Sequence, residues 1–147
     1  MKDTNNLLDY NTWSGTDYTN DITGIYINGN ATAESNNTFS VNGESSLKIT
    51  NTDVSRWNSV DLFRISSPKR VVSGKFRIYN PECDVIVNLF HTTEGVLISQ
   101  VTVPQNKVPR EISISGDTSN ISGNISIRIF PRDINNSPVY IDDVSLS

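Results

Sequence analysis

Trp57 stands in the run Arg56-Trp57-Asn58-Ser59-Val60-Asp61, polar on both sides and outside any clean apolar stretch. An indole in that setting can stack on a flat apolar ligand face, such as the C–H face of a pyranose, while neighbouring side chains bond hydroxyls. The other tryptophan, Trp13, lies at a polar loop entry and reads as a plug under the core more readily than as a rim aromatic. Catalytic chemistry finds little support. His91 is the single histidine and stands beside Thr92 and Thr93, with no Gly-x-Ser-x-Gly motif, so a nucleophilic triad is not indicated. A glycosidase needs two carboxylates flanking the scissile bond, one of them tuned as an acid by apolar surroundings. No Asp or Glu pair stands in such a setting, and the chain reads as non-enzymatic. Cys83 is the single cysteine, which excludes an internal disulfide and a thiolate metal cluster and suits a small core filler.

Charge narrows the partners. The 147 residues carry a net charge of −4, and only 19% are charged. The densest basic group, Lys69, Arg70, Lys75 and Arg77, reads as a solvated strand-and-turn face. Nucleic-acid binding needs a basic surface that releases counterions, so that class is set aside. No apolar run reaches membrane-spanning length and Met1-Lys2-Asp3-Thr4-Asn5 lacks a signal-peptide core, so membrane insertion is not expected.

The elements that must position these residues are strands. No stretch holds a helical period, whereas alternation recurs in residues 46–50, 75–79, 84–90, 95–103, 111–115, 124–129 and 139–146. Asn28-Gly29 reads as a two-residue hairpin turn, and Asn42-Gly43, Ser73-Gly74, Glu94-Gly95, Ser115-Gly116 and Ser122-Gly123 read as further turns. About ten short strands so spaced predict one all-β domain over residues 1–147, built as a sandwich of two antiparallel sheets. Within the strands, Phe76 and Ile78 face the core and send Arg77 and Tyr79 outward. Val85, Val87 and Leu89 likewise leave Asn88 and Phe90 outside, and residues 124–130 expose Arg128 and Phe130.

Three ordered segments carry a resemblance. Asn6-Leu7-Leu8 with Trp13-Ser14-Gly15, then Val41-Asn42-Gly43-Glu44-Ser45-Ser46-Leu47-Lys48-Ile49 with Trp57 about ten residues on, then Tyr140-Ile141-Asp142-Asp143-Val144-Ser145-Leu146, span the chain. In this order they resemble the galactose-binding-like, jelly-roll carbohydrate-binding modules found beside glycoside hydrolases, in surface adhesins and in phage baseplate proteins.

The resemblance implies a jelly-roll β-sandwich that binds a polysaccharide or cell-surface glycan without catalysis. It implies a module of a larger secreted, surface or virion protein. The alternative it leaves open is a structural or assembly domain, an adhesin spacer or baseplate component, whose exposed face contacts protein. Trp57 would be the stacking platform on a concave sheet, with Arg77, Tyr79, Asn88 and Arg128 as polar partners. The resemblance also implies a structural calcium ion, held by Asp142, by carbonyls near Glu44 and Ser45, and by Asp9. Asp9 would substitute for a glutamate that the family often carries after its opening Asn-Leu-Leu and that Asp9-Tyr10-Asn11-Thr12 lacks.

Overall fold

Alternation of apolar and polar side chains buries one face of each strand, and two such faces closed on each other make the core. The computed structural model describes residues 8–9, 24–36 and 46–147, with backbone alone for Leu8, Asp9 and Ser35. Among the described residues, twelve strands run in chain order: β1 Leu8–Asp9, β2 Tyr26–Asn28, β3 Ala31–Asn36, β4 Ser46–Asn51, β5 Ser59–Asp61, β6 Ile65–Ser66, β7 Val71–Asn80, β8 Val85–His91, β9 Val96–Val103, β10 Asn106–Asp117, β11 Asn124–Pro131 and β12 Val139–Leu146. The first sheet has the order β10-β7-β12-β4-β3, with β1 on the far end of β12; the second has the order β2-β5-β11-β8-β9, with β6 on the start of β11. Every pairing is antiparallel. The fold is the expected jelly-roll sandwich.

Leu47, Ile49, Phe76, Ile78 and Ile141 of the first sheet meet Val60, Val87, Leu89, Ile127 and Ile129 of the second, all fully buried. Cys83 joins this core as expected, and burial pushes its thiol pKa up.

Several expected turns are something else. Asn28-Gly29 does not close a hairpin: β2 belongs to the second sheet and β3 to the first, so the chain crosses the sandwich there. The backbone of Gly29 has φ +70, and a Cβ on it would lie 2.2 Å from Asn58 Oδ1, which instead accepts the Asn30 N–H at 3.0 Å. Gly74 and Gly116 lie inside β7 and β10, where an added Cβ would stand 2.8 Å from Ile127 Cδ1 and Ile98 Cγ2 respectively. They mark close approach of the two sheets, not chain reversal. Pro109 falls inside β10 where the register with β7 shifts between Asn106 and Arg110, so its missing N–H meets no regular ladder.

Candidate functional site

The outer face of the second sheet brings polar and aromatic side chains into one row. Registers place Tyr26 opposite Asp61, Asp61 opposite Arg128, Arg128 opposite Asn88, and Asn88 opposite Gln100. With Val60, Ile127, Ile129, Val87 and Leu89 turned into the core, period 2 sends all of these to the other side.

Asp61 organises the row. Its side chain is 0% exposed and both oxygens are taken. Arg128 donates from Nε to Oδ1 at 2.6 Å and from Nη2 to Oδ2 at 3.1 Å, a bidentate pair. Arg64 donates from Nε to Oδ2 at 2.9 Å, and the Asn28 amide donates to Oδ1 at 3.1 Å. Asn28 also donates to Ser59 Oγ and accepts from Arg64 Nη2. The two guanidinium planes so fixed lie over aromatic rings: Arg128 sits 4.0 Å from the Phe90 centroid and Arg64 sits 4.4 Å from that of Tyr26. Beside Arg128 stand two buried polar groups without a partner, Asn88 Oδ1 and Ser126 Oγ. Ser126 pairs with Phe90 across β8 and precedes Arg128 by one outward position.

Trp57 stands at the edge of this face, 60% exposed. It packs edge-on against Phe130 with centroids 5.5 Å apart, and the Arg132 guanidinium lies 3.9 Å over its ring. The loop that carries it is fastened by two buried asparagines. Asn51 donates to the Arg56 and Pro131 carbonyls and accepts from the Asp53 N–H and the Asn58 amide. The Ser55 hydroxyl and N–H both bond Asp53 and hold its carboxyl below the usual carboxylate range.

The expected set therefore divides. Trp57, Asn88 and Arg128 lie on one side of the sandwich. Arg77 and Tyr79 do not join them: they are on β7, in the first sheet, and face outward on the opposite side. There Tyr79 stacks on Tyr140 at 5.9 Å, and Arg77 pairs in register with Glu111 and Asp142. Alternation assigns Arg77 and Tyr79 to the outside of their own strand, but the sheet that a strand joins is decided by pairing with residues distant in sequence. His91 is buried, and its Nε2 bonds the Ser122 carbonyl at 2.8 Å, tying the loop before β11 to the end of β8.

Asp61, Arg64, Tyr26 and Arg132 are site residues that the sequence did not single out, and Phe130, expected to be exposed, is buried against Trp57. The run Ser59-Val60-Asp61 carried a signal for one of them, since Val60 inward puts Asp61 outward beside Trp57. Arg64 follows the end of β5 and had none.

Of the residues expected to hold calcium, Ser45 lies outside the described residues, as do Trp13 and Glu44; of Asp9 only the strand position is described. That position pairs with Ser145, while Leu47 of β4 pairs with Ile141. The backbone thus brings β1 and the start of β4 to the part of β12 that holds Asp142. Asp142 is fully buried, its Oδ1 accepts the Asp143 N–H at 2.9 Å, and Asp143 has φ 53 where the β7 register shifts. Among the described residues no group of three His, Cys, Asp or Glu is placed to hold a metal ion.

Solved structures share this architecture. The CBM22-1 xylan-binding domain of Paenibacillus barcinonensis Xyn10C superposes with TM-score 0.61 at 15% identity, covering 99% of this chain and 96% of that one. TmCBM61, solved in complex with β-1,4-galactotriose, superposes with TM-score 0.63 at 16% identity over 97% of each chain. The chain has the sandwich fold of carbohydrate-binding modules. The same module fold occurs in the enzymatically active domain of the bacteriophage CBA120 tailspike protein 4, with TM-score 0.62 and 12% identity. That match covers 92% of this chain and spans a fifth, 20%, of the tailspike chain. No protein-family model matches the chain, and no curated protein does.

Proposed function

We propose that this chain is a non-catalytic glycan-binding module and that its ligand lies on the outer face of the second sheet, against Trp57. One observation carries the reading: a solvent-facing indole stands at the edge of a fixed polar row in which Asp61 holds Arg64 and Arg128. A protein-docking face would be broad and apolar, whereas Trp57 is bordered by Arg132, Arg56 and Asp53. The fold supports the reading, because module-fold neighbours bind xylan and galactotriose. Asp61 gives no support to catalysis, since its four acceptor positions are filled by Asn28, Arg64 and Arg128. The neighbours of this fold are a domain of Xyn10C and a fifth of a phage tailspike chain, and we propose that this chain is likewise part of a larger protein outside the cell or on a virion. No helix among the described residues is long and apolar enough to cross a membrane.

The test is a glycan array probed with the wild type and Trp57→Ala. Wild-type binding is expected, weakened by about thirtyfold or more in the variant, as for a central aromatic contact worth ~2 kcal/mol. Trp57 is exposed, so the variant should fold normally. No bound glycan at high protein concentration would overturn the reading and leave the assembly-domain alternative.

We propose further that Asp142, with Asp9 and a carbonyl at Ser45, holds a structural calcium ion. The support is the junction of β1, β4 and β12 around a buried carboxylate, and backbone carbonyls would complete an all-oxygen shell. Calcium is expected to raise the melting temperature of the wild type and to have no effect on Asp142→Ala. An unchanged melting curve when EGTA is added to native protein counts against the ion.

A further inference from the structure

Donors outnumber acceptors on the outer face of the second sheet, and this bears on which glycans fit it. Asp61 is the carboxylate of the row, and Asn28, Arg64 and Arg128 already occupy it. It has nothing left for a sugar hydroxyl. A guanidinium carries five N–H donors. Arg128 spends two of them on Asp61, Arg64 spends one on Asp61 and one on Asn28, and Arg132 spends one on the Arg56 carbonyl. Most of their donor capacity therefore has no protein partner, while the two unbonded acceptors beside Arg128, Asn88 Oδ1 and Ser126 Oγ, are buried out of a ligand's reach. The charge balance points the same way. With the Arg56–Asp53 pair beside Trp57 included, four arginines stand against two aspartates here, on a chain whose net charge is −4.

Resting on the glycan-binding reading above, we propose that the ligand is an acidic glycan whose anionic groups seat against Arg64, Arg128 and Arg132. A planar carboxylate matches the guanidinium fork with two parallel N–H···O bonds, and sulfate oxygens present the same acceptor chemistry. Trp57, at the edge of the same face, stacks on the apolar face of the glycan. Asp61 is a positioning residue in this scheme. It holds two of the arginines at fixed angles, so little rotamer freedom is lost when the anion arrives. A neutral glycan offers hydroxyl oxygens, and hydrogen bonds from a guanidinium to these are weaker than bonds to an anion.

The experiment is affinity electrophoresis and calorimetry with a panel of uronate polymers, each beside its carboxyl-reduced neutral form, together with a sulfated galactan, a neutral galactan and xylan. Binding to at least one acidic polymer is expected, weaker by about tenfold or more for the reduced form and falling as salt rises. Arg64, 33% exposed at its side chain, is the variant of choice because it can be replaced without stranding a buried charge. Arg64→Gln is expected to weaken acidic binding about tenfold, with Arg64→Lys recovering part of it. Arg132→Gln serves if the first variant melts early. Preference for sulfated over carboxylated polymers supports the proposal and names the anion. Equal binding to acidic and reduced forms, or binding to neutral polymers alone, overturns it while leaving the glycan-binding reading intact. Failure to bind any polymer overturns both.

Discussion

Asp61→Ala is expected to lower the stability of the sandwich by about 3 kcal/mol, at the lower end of what removing one partner of a buried ion pair costs. The wild-type carboxylate is fully buried and the Arg128 side chain is 16% exposed, so the variant leaves a guanidinium largely out of water with its counter-ion gone. Arg64 contributes less to the loss because it can turn to solvent. For a domain of this size each kcal/mol moves the melting temperature by about 2–4 °C, so the midpoint should fall by roughly 6–12 °C. Asp61→Ala combined with Arg128→Met tests the cause. If the uncompensated charge dominates, the double variant recovers most of the loss, since an apolar side chain suits the space over Phe90. Urea denaturation of the three proteins measures this. A single-variant loss under about 1 kcal/mol would mean that water reaches Arg128 and that the pair is worth no more than a surface one.

Local period was legible in the sequence and long-range pairing was not. Phe76, Ile78, Val85, Val87 and Leu89 were assignable to the core because neighbours two apart share a face whatever sheet they join. The same logic sent Arg77, Tyr79, Asn88 and Arg128 outward correctly. It could not say that β7 pairs with β10 and β12 while β8 pairs with β9 and β11, and that difference puts the first two residues across the molecule from the others. Glycine was misread for a related reason. Gly74 and Gly116 carry a turn-like dipeptide signal, yet they exist because Ile127 and Ile98 press against them from the other sheet. The cluster around Asp61 depends on Arg64 and Arg128, three and sixty-seven residues further along the chain. No local pattern reports such a pair.

The asparagine that ends β4 supplies the second large effect, because one buried amide joins stability to the placement of Trp57. Asn51 follows Leu47 and Ile49 on the core-facing side of its strand, where an apolar residue would continue the pattern. Its Nδ2 reaches the Pro131 carbonyl at 3.2 Å and the Arg56 carbonyl at 3.3 Å, and its Oδ1 accepts from the Asp53 N–H and the Asn58 amide, both at 3.0 Å. These bonds fasten the loop between β4 and β5 to the end of β11, in the other sheet. Asn51→Ala strands a buried carbonyl at Pro131 and donors at Asp53 and Asn58, and each stranded group costs about 1–3 kcal/mol. A total loss of about 3 kcal/mol is expected by urea denaturation, allowing for water entering the space the amide leaves. Glycan affinity should fall with it, although the variant keeps Trp57, because Arg56 and Asn58 flank that residue and each loses its bond to Asn51. Asn51→Asp separates the two halves of the amide. It retains the acceptor toward Asp53 and Asn58 but brings an oxygen against the Pro131 carbonyl, and it should be at least as destabilising as alanine. Full stability with lost binding would mean that Asn51 orients the loop without holding the sheets; lost stability with unchanged binding would mean that Trp57 is positioned by Phe130 and Arg132 alone.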